Sequence, residues 1–150
     1  MRDAMGGTVV IVIIVVFIVI ASAYMAFNVN YTKAFRMKNK IISYYEEYKG
    51  QCRNNSKCVS KIRDYAKSIG YDPANLTCTN GFTKADNLYC EKKMPLTNKA
   101  SSDVYSKEIR EAYYYKIETK IDIRIPIIDN VMGIRVFRIT GDTKTFEISY

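Results

Sequence analysis

The first 32 residues constrain what this chain can become more than any other feature. After Arg2 and Asp3 the sequence carries no charge from Ala4 to Thr32, and Val9 to Ile20 is an unbroken apolar run. A helix needs about 20 mostly apolar residues to cross ~30 Å of hydrocarbon, and Gly6 to Phe27 supplies 22. Two readings compete. In one, Arg2 is the n-region of a signal peptide, Thr8 to Ile20 its apolar core, and Ala21-Ser22-Ala23 a small-residue site with cleavage after Ala23. In the other, residues 1–32 are a retained transmembrane anchor. Asp3 weakens the n-region, and the uncharged stretch runs on through Tyr24, Met25 and Phe27, so the anchor is favoured.

The rest, from Lys33 to Tyr150, is enough for one domain. It holds 22 of the 23 Lys and Arg and 14 of the 15 Asp and Glu, and so the whole +8 net charge. A basic surface attracts polyanions such as nucleic acid, anionic lipid or anionic wall polymer. These charges are spread along the chain, however, with no arginine-rich tract or nucleic-acid module, which also fits a solvated surface.

Cys52, Cys58, Cys78 and Cys90 all lie outside the apolar segment. An even count in a small domain behind a targeting or anchoring segment reads as two disulfides, with three connectivities open. A zinc site is the weaker reading, because the chain has no histidine and the cysteine gaps lack short paired knuckles. The cysteines place the domain outside the reducing cytosol. Lys33, Arg36, Lys38 and Lys40, just past the apolar segment, argue the opposite way by the positive-inside rule. Of the two signals the cysteines carry more weight, giving a single-pass cell-membrane protein with an extracytoplasmic C-terminal domain; the signal-peptide reading makes it secreted.

From Tyr31 to Tyr48 the apolar and aromatic residues fall at 31, 34, 35, 41, 42, 45 and 48, the 3.6-residue stripe of an amphipathic helix. No Pro or Gly intervenes between Thr8 and Lys49, and Gly50 stands where a helix would end. The pattern predicts one helix running from the membrane into a stem over residues 33–50, or a break near Asn28-Val29-Asn30 with a separate helix beyond. A second helix is expected from Ser56 to Ile69, capped by Asn55 or Ser56, presenting Cys58, Val59, Ile62, Tyr65, Ala66 and Ile69 and ended by Gly70.

Residues 71 to 101, with Asp72-Pro73, Asn80-Gly81 and Pro95, read as turns and loops with a short strand over Asn87 to Lys93. Ser102 to Arg110 is ambiguous between helix and strand. From Tyr115 to Ile127 apolar and polar residues alternate strictly, predicting a long strand with one buried face and one wet face. Its wet face carries Lys116, Glu118, Lys120, Asp122 and Arg124, and Pro126 marks its end. After a turn at Asp129-Asn130, Met132 to Thr140 is a second strand. Gly141-Asp142 is a two-residue hairpin signal leading to a third strand, Thr143 to Tyr150. The expected fold is α+β: a long N-terminal helix and a second helix packed on a C-terminal antiparallel sheet of three to four strands, with residues 51–150 as a disulfide-stabilised domain.

With no histidine the usual general base is missing, and no Gly-rich phosphate loop follows a strand. No catalytic, cofactor or metal residue stands out, and the expectation is a non-enzyme with no cofactor and no small-molecule substrate. The tyrosine clusters, Tyr44-Tyr45 and Tyr113 to Tyr115, fit either a binding surface or the aromatic rim of a core that lacks Trp.

An uncharged N-terminal segment, a helix continuing out of it, and a small disulfide-bearing domain closed by a sheet together resemble a pilin-like protein. The stretch from Lys116 to Thr145, with Ile-Asp-Ile-Arg-Ile-Pro-Ile-Ile and Ile-Thr-Gly-Asp-Thr, is similar to the C-terminal part of TadE-like minor pseudopilins of the tight-adherence pilus. The resemblance implies processing after Gly6 or Gly7. It also implies partners among other membrane-anchored envelope or pilus subunits, met through the N-terminal helix in the lipid bilayer. The chain departs from the pilin pattern where that pattern has a Glu at the fifth mature position, since Ile11 or Val12 stands there. That departure fits a tethered accessory protein better than a major filament subunit. The functional expectation is a structural or assembly component of a pilus-like or secretion-type envelope machine involved in surface filaments or adhesion. The alternative is a tethered or secreted binding module for an anionic polymer, DNA or cell-wall polymer.

Overall fold

The structure is a computed structural model describing residues 2–73, 75–96, 112–122 and 136–147. Its longest element is α1, Arg2–Glu47, one helix of 46 residues with no break at Asn28-Val29-Asn30. At about 1.5 Å per residue it is roughly 69 Å long. The uninterrupted run of residues without Pro or Gly accounts for that continuity. The helix ends as the sequence indicates: Gly50, at φ +76°, donates its N–H to the Tyr45 carbonyl at 2.8 Å. A side chain at Gly50 would also press on Tyr115, 3.0 Å from where its Cβ would sit.

Helix α2, Ser56–Ile69, has both boundaries where the sequence puts them. Asn55 caps it by accepting from Lys57 N (3.0 Å) and Cys58 N (3.4 Å). Gly70 closes it in the left-handed conformation, with Tyr71 N–H returning to the Ala66 carbonyl. Its inner face buries Cys58, Ile62 and Ala66, while Val59, Tyr65 and Ile69 are half-buried.

The sheet is antiparallel and five-stranded, in the order β1-β2-β3-β4, with β5 also paired to β3. The strands are β1 Thr83–Asp86, β2 Tyr89–Leu96, β3 Ala112–Asp122, β4 Val136–Asp142 and β5 Phe146–Glu147. The hairpin of β1 and β2, closed between Asp86 and Tyr89, occupies a region the sequence assigned mostly to loops. Its apolar signal is weak because β1 exposes half its residues and Glu91, Lys92 and Lys93 interrupt β2. The Asn80-Gly81 turn is present, with Phe82 N–H donating to the Thr79 carbonyl at 2.9 Å. The readings for Ser102 to Arg110, Asp129-Asn130 and the Ile123 to Ile127 end of the long strand lie outside the described residues.

Gly141-Asp142 makes no hairpin. β4 and β5 follow one line along β3, with Lys116 opposite Asp142 and Tyr113 opposite Phe146. Three residues, 143–145, thus face two on β3, a bulge carrying one extra residue. Thr143 bridges it: its N–H donates to the Tyr115 carbonyl and its Oγ1 accepts from Tyr115 N, both at 2.9 Å. Gly141 serves another purpose. It sits where α1 crosses the sheet, and a Cβ there would lie 2.9 Å from both Ile42 Cδ1 and Lys38 Cδ.

The core lies between α1 and the inner face of the sheet. Ala34, Met37, Ile41 and Tyr45 of α1 are fully buried against Ile117 and Ile121, with Ile62 and Ala66 of α2 alongside. The buried stripe of α1 is therefore 34, 37, 41 and 45. Tyr31 and Phe35, expected on it, are 43% and 41% exposed. Met37, three residues after Ala34 and four before Ile41, belongs to this stripe, and the charges of Arg36 and Lys38 beside it point to other faces of the helix.

Candidate functional site

The N-terminal half of α1 is long and apolar enough to cross a membrane. Apart from half-buried Val19, its large side chains from Val9 to Ile20 stand exposed, Phe17 most of all at 71%. A helix bearing so much apolar surface needs an apolar surrounding, because each Å² left in water forfeits roughly 25 cal/mol. Gly6 and Gly7 lie in the first turns of α1, and Ala23 lies half-buried farther along the same helix. Among the described residues, ring contact with the head is first made by Phe27, which meets Phe137 of β4 edge-on at 5.6 Å.

The four cysteines pair locally, Cys52 with Cys58 and Cys78 with Cys90, and none is free. The first pair ties the chain leaving α1 to the first turn of α2. The second fastens the 71–79 segment to β2. That segment covers the outer face of the sheet, which the sequence assigned wholly to solvent. Glu118 and Lys120 are buried there, at 3% and 6% exposure. Glu118 accepts from Thr79 N and Thr79 Oγ1 and stands 3.6 Å from Arg138 Nε. Lys120 Nζ donates to the Asn75 carbonyl at 3.1 Å. Tyr71 completes the cover: its hydroxyl donates to the Lys120 carbonyl (2.9 Å) and accepts from Lys120 N (3.2 Å), replacing a missing strand partner.

A second polar cluster lies inside the core. Glu91 of β2, 3% exposed, accepts from Tyr45 Oη and, at 3.2 Å, from Arg53. Tyr45 and Tyr89 share a hydroxyl hydrogen bond of 3.0 Å. Burial, then the nearby Tyr89 and Glu91, pushes the Tyr45 phenol far above its ordinary value. Burial does the same to Tyr71 and Tyr89. Periodicity assigned the Tyr45 position to the core; nothing local in the sequence pairs it with Glu91, 46 residues on.

The tyrosine clusters divide between core and rim. Tyr45 is fully buried, whereas Tyr44, Tyr113, Tyr114 and Tyr115 are half-buried. The rings of Tyr113 and Tyr115 gather with Phe146 beneath Gly50. An open groove of about 400 Å³ runs over α2, lined by Arg53, Asn54, Ser56, Arg63 and Lys67 together with Asp64.

Together these features define an α+β head, closed by two disulfides, carried on a helix whose other half has the length and character of a membrane span. Comparison with protein-family models, curated proteins and solved structures finds no match.

Proposed function

We propose that this protein is a membrane-anchored, extracytoplasmic assembly component of a pilus-like or secretion-type envelope machine. The observation that carries the reading is the unbroken α1. A protein that only needed tethering could use a short span and a flexible linker, which decouples the head from the membrane. Here one rigid helix is both the apolar span and the central element of the head's core. A partner helix packing against residues 7–26 within the bilayer is thereby coupled mechanically to the head. The disulfides fit a head facing an oxidising compartment. The TadE-like resemblance, the accessory role, and processing after Gly6 or Gly7 belong to this same proposal, whereas cleavage after Ala23 would remove most of the span and belongs to the secreted alternative. A deletion strain is expected to lose surface filaments or adhesion; an unchanged cell surface would remove the reading.

A second reading has one observation in its favour. The α2 groove is lined by three cations, Arg53, Arg63 and Lys67, and one acid, Asp64, with Arg53 and Arg63 also paired to Glu91 and Asp86. A tethered binder of anionic polymer would use that groove, and its affinity would fall steeply with salt. No binding of DNA or teichoic-type polymer at low ionic strength would eliminate it.

A further inference from the structure

The junction between span and head carries a surface that neither the core nor the span explains. Phe27, Tyr31 and Phe35 follow one another at helical spacing, their rings 6.1 Å and 6.3 Å apart, with Tyr24 one turn before them. Phe137 of β4 joins the row through Phe27. Tyr24, Tyr31, Phe35 and Phe137 are all more than 40% exposed. Lys38 Nζ stands 4.5 Å over the Phe35 ring, and Lys33, Arg36 and Lys40 share this part of the helix. From Ala4 to Tyr45 the chain contains no acid at all.

Length decides what this surface meets. Residues 7–26 measure about 30 Å at 1.5 Å per residue, the thickness of the hydrocarbon core. With the span so placed, Phe27 and Tyr31 fall in the interfacial layer, where amphipathic rings are enriched. Lys33 and Arg36, roughly 9–14 Å beyond Phe27, reach the level of lipid phosphates. Phe137 belongs to the head, but α1 holds it at the same height as Phe27.

We propose that Tyr24, Phe27, Tyr31, Phe35 and β4's Phe137, with the cations of the stem, form a collar that seats the head on the surface of an anionic bilayer. This rests on the reading of residues 7–26 as the span. The rings, drawn from both α1 and β4, supply interfacial burial at the junction. The stem cations supply attraction to anionic headgroups, an attraction that falls off within a Debye length and weakens with salt. Because both α1 and β4 contribute, the collar fixes the tilt of the head against the membrane as well as its height.

The chain has no tryptophan, so single reporters test this directly in the full-length protein. Phe17→Trp, Phe137→Trp and Phe146→Trp would each be placed in vesicles of mixed phosphatidylcholine and phosphatidylglycerol carrying shallow or deep nitroxide lipids. The expected result is deep quenching of the Phe17→Trp reporter, shallow quenching of the Phe137→Trp reporter, and neither for Phe146→Trp at the far end of the head. Pure phosphatidylcholine, high salt or Arg36→Glu should each weaken the shallow quenching. Deep quenching at position 17 with none at 137 would overturn the collar and leave the span standing. No quenching at 17 would overturn both. Shallow quenching at 137 that ignores lipid charge and salt would overturn the assignment to anionic lipid. Loss of that quenching at high protein-to-lipid ratio, with a Phe137→Cys cross-link between copies, would give the surface to a second copy instead.

Discussion

Gly141 of β4 backs directly onto Ile42 of α1, so closely that a Cβ on the glycine would lie 2.9 Å from Ile42 Cδ1. The stem and the head are locked at this crossing. The atoms in the way, Ile42 Cδ1 and Lys38 Cδ, are ends of flexible side chains, so Gly141→Ala is expected to cost less than about 1 kcal/mol. Gly141→Val adds branches that cannot move aside together and should cost about 1–3 kcal/mol. Denaturant unfolding of the two variants checks the order. Equal effects would mean that backbone conformation, not helix approach, governs the site.

Removing the Tyr45 hydroxyl leaves Glu91 with the partly exposed Arg53 as its remaining hydrogen-bond partner among those described. A hydrogen bond to a charged group contributes about 1.5–3 kcal/mol, and Tyr45→Phe should destabilise the head by that order. Glu91→Gln in the Tyr45→Phe background should cost less than the two single changes combined, since the carboxylate that needs the phenol is already gone. Strict additivity in the double-mutant cycle would deny the coupling.

The two disulfides are expected to contribute unequally. Cys78–Cys90 closes a separation of 12 residues and Cys52–Cys58 one of 6. Chain-entropy arguments give about 0.6 kcal/mol more for the longer loop, out of the 2–4 kcal/mol typical of a disulfide. Replacing Cys78 and Cys90 together with alanine should also release the 71–79 cover and speed amide exchange around Glu118 and Lys120. Intact mass from native cells, with alkylation before and after reduction, should show four thiols only after reduction. The same mass fixes the N-terminus at Met1, after Gly6 or Gly7, or after Ala23.

Stability should fall at both ends of the pH scale, for identifiable reasons. In the unfolded chain tyrosine ionises near about pH 10, whereas folded Tyr45, Tyr71 and Tyr89 resist ionisation because they are buried. A raised folded pKa gives stability that is complete below the unfolded value and lost as pH rises past it. Alkaline unfolding beginning above about pH 10, with phenolate absorbance appearing in the same cooperative step, is expected. Asp86 has the opposite sign. Burial pushes its carboxyl up, but the Arg63 hydrogen bond, the Asn87 N–H and the nearby cations hold it below the ordinary value. Its contribution is present above about pH 4 and lost below. Arg63→Ala should weaken the acid limb and leave the alkaline limb unchanged.

Much of the architecture could be read locally. An uncharged run of this length makes a helix long and apolar enough to cross a membrane, the absence of Pro and Gly allows one continuous helix, and Asn55 and Gly70 delimit α2 because caps act over three or four residues. The period-two alternation around Ile117, Thr119 and Ile121 dictates β3. These signals need only the chain and water or lipid beside it. The locations of the four cysteines were equally plain, and their partners were not, because pairing depends on how segments return to one another.

The tertiary structure alone decided the rest, and in each case a distant segment reset what the local pattern implied. Gly141-Asp142 has the composition of a hairpin, yet the crossing of α1 uses that glycine for close approach and keeps the strand running. Glu118 and Lys120 have the alternation of a wet face, yet the 71–79 segment, fastened by Cys78–Cys90, covers them and supplies their partners. Tyr31 and Phe35 fall at helical spacing with the core residues, yet the buried stripe of α1 runs through Ala34, Met37, Ile41 and Tyr45, and they face outward beside Phe27. A side chain's periodicity fixes the direction in which it points; what lies in that direction is settled by residues tens of positions away.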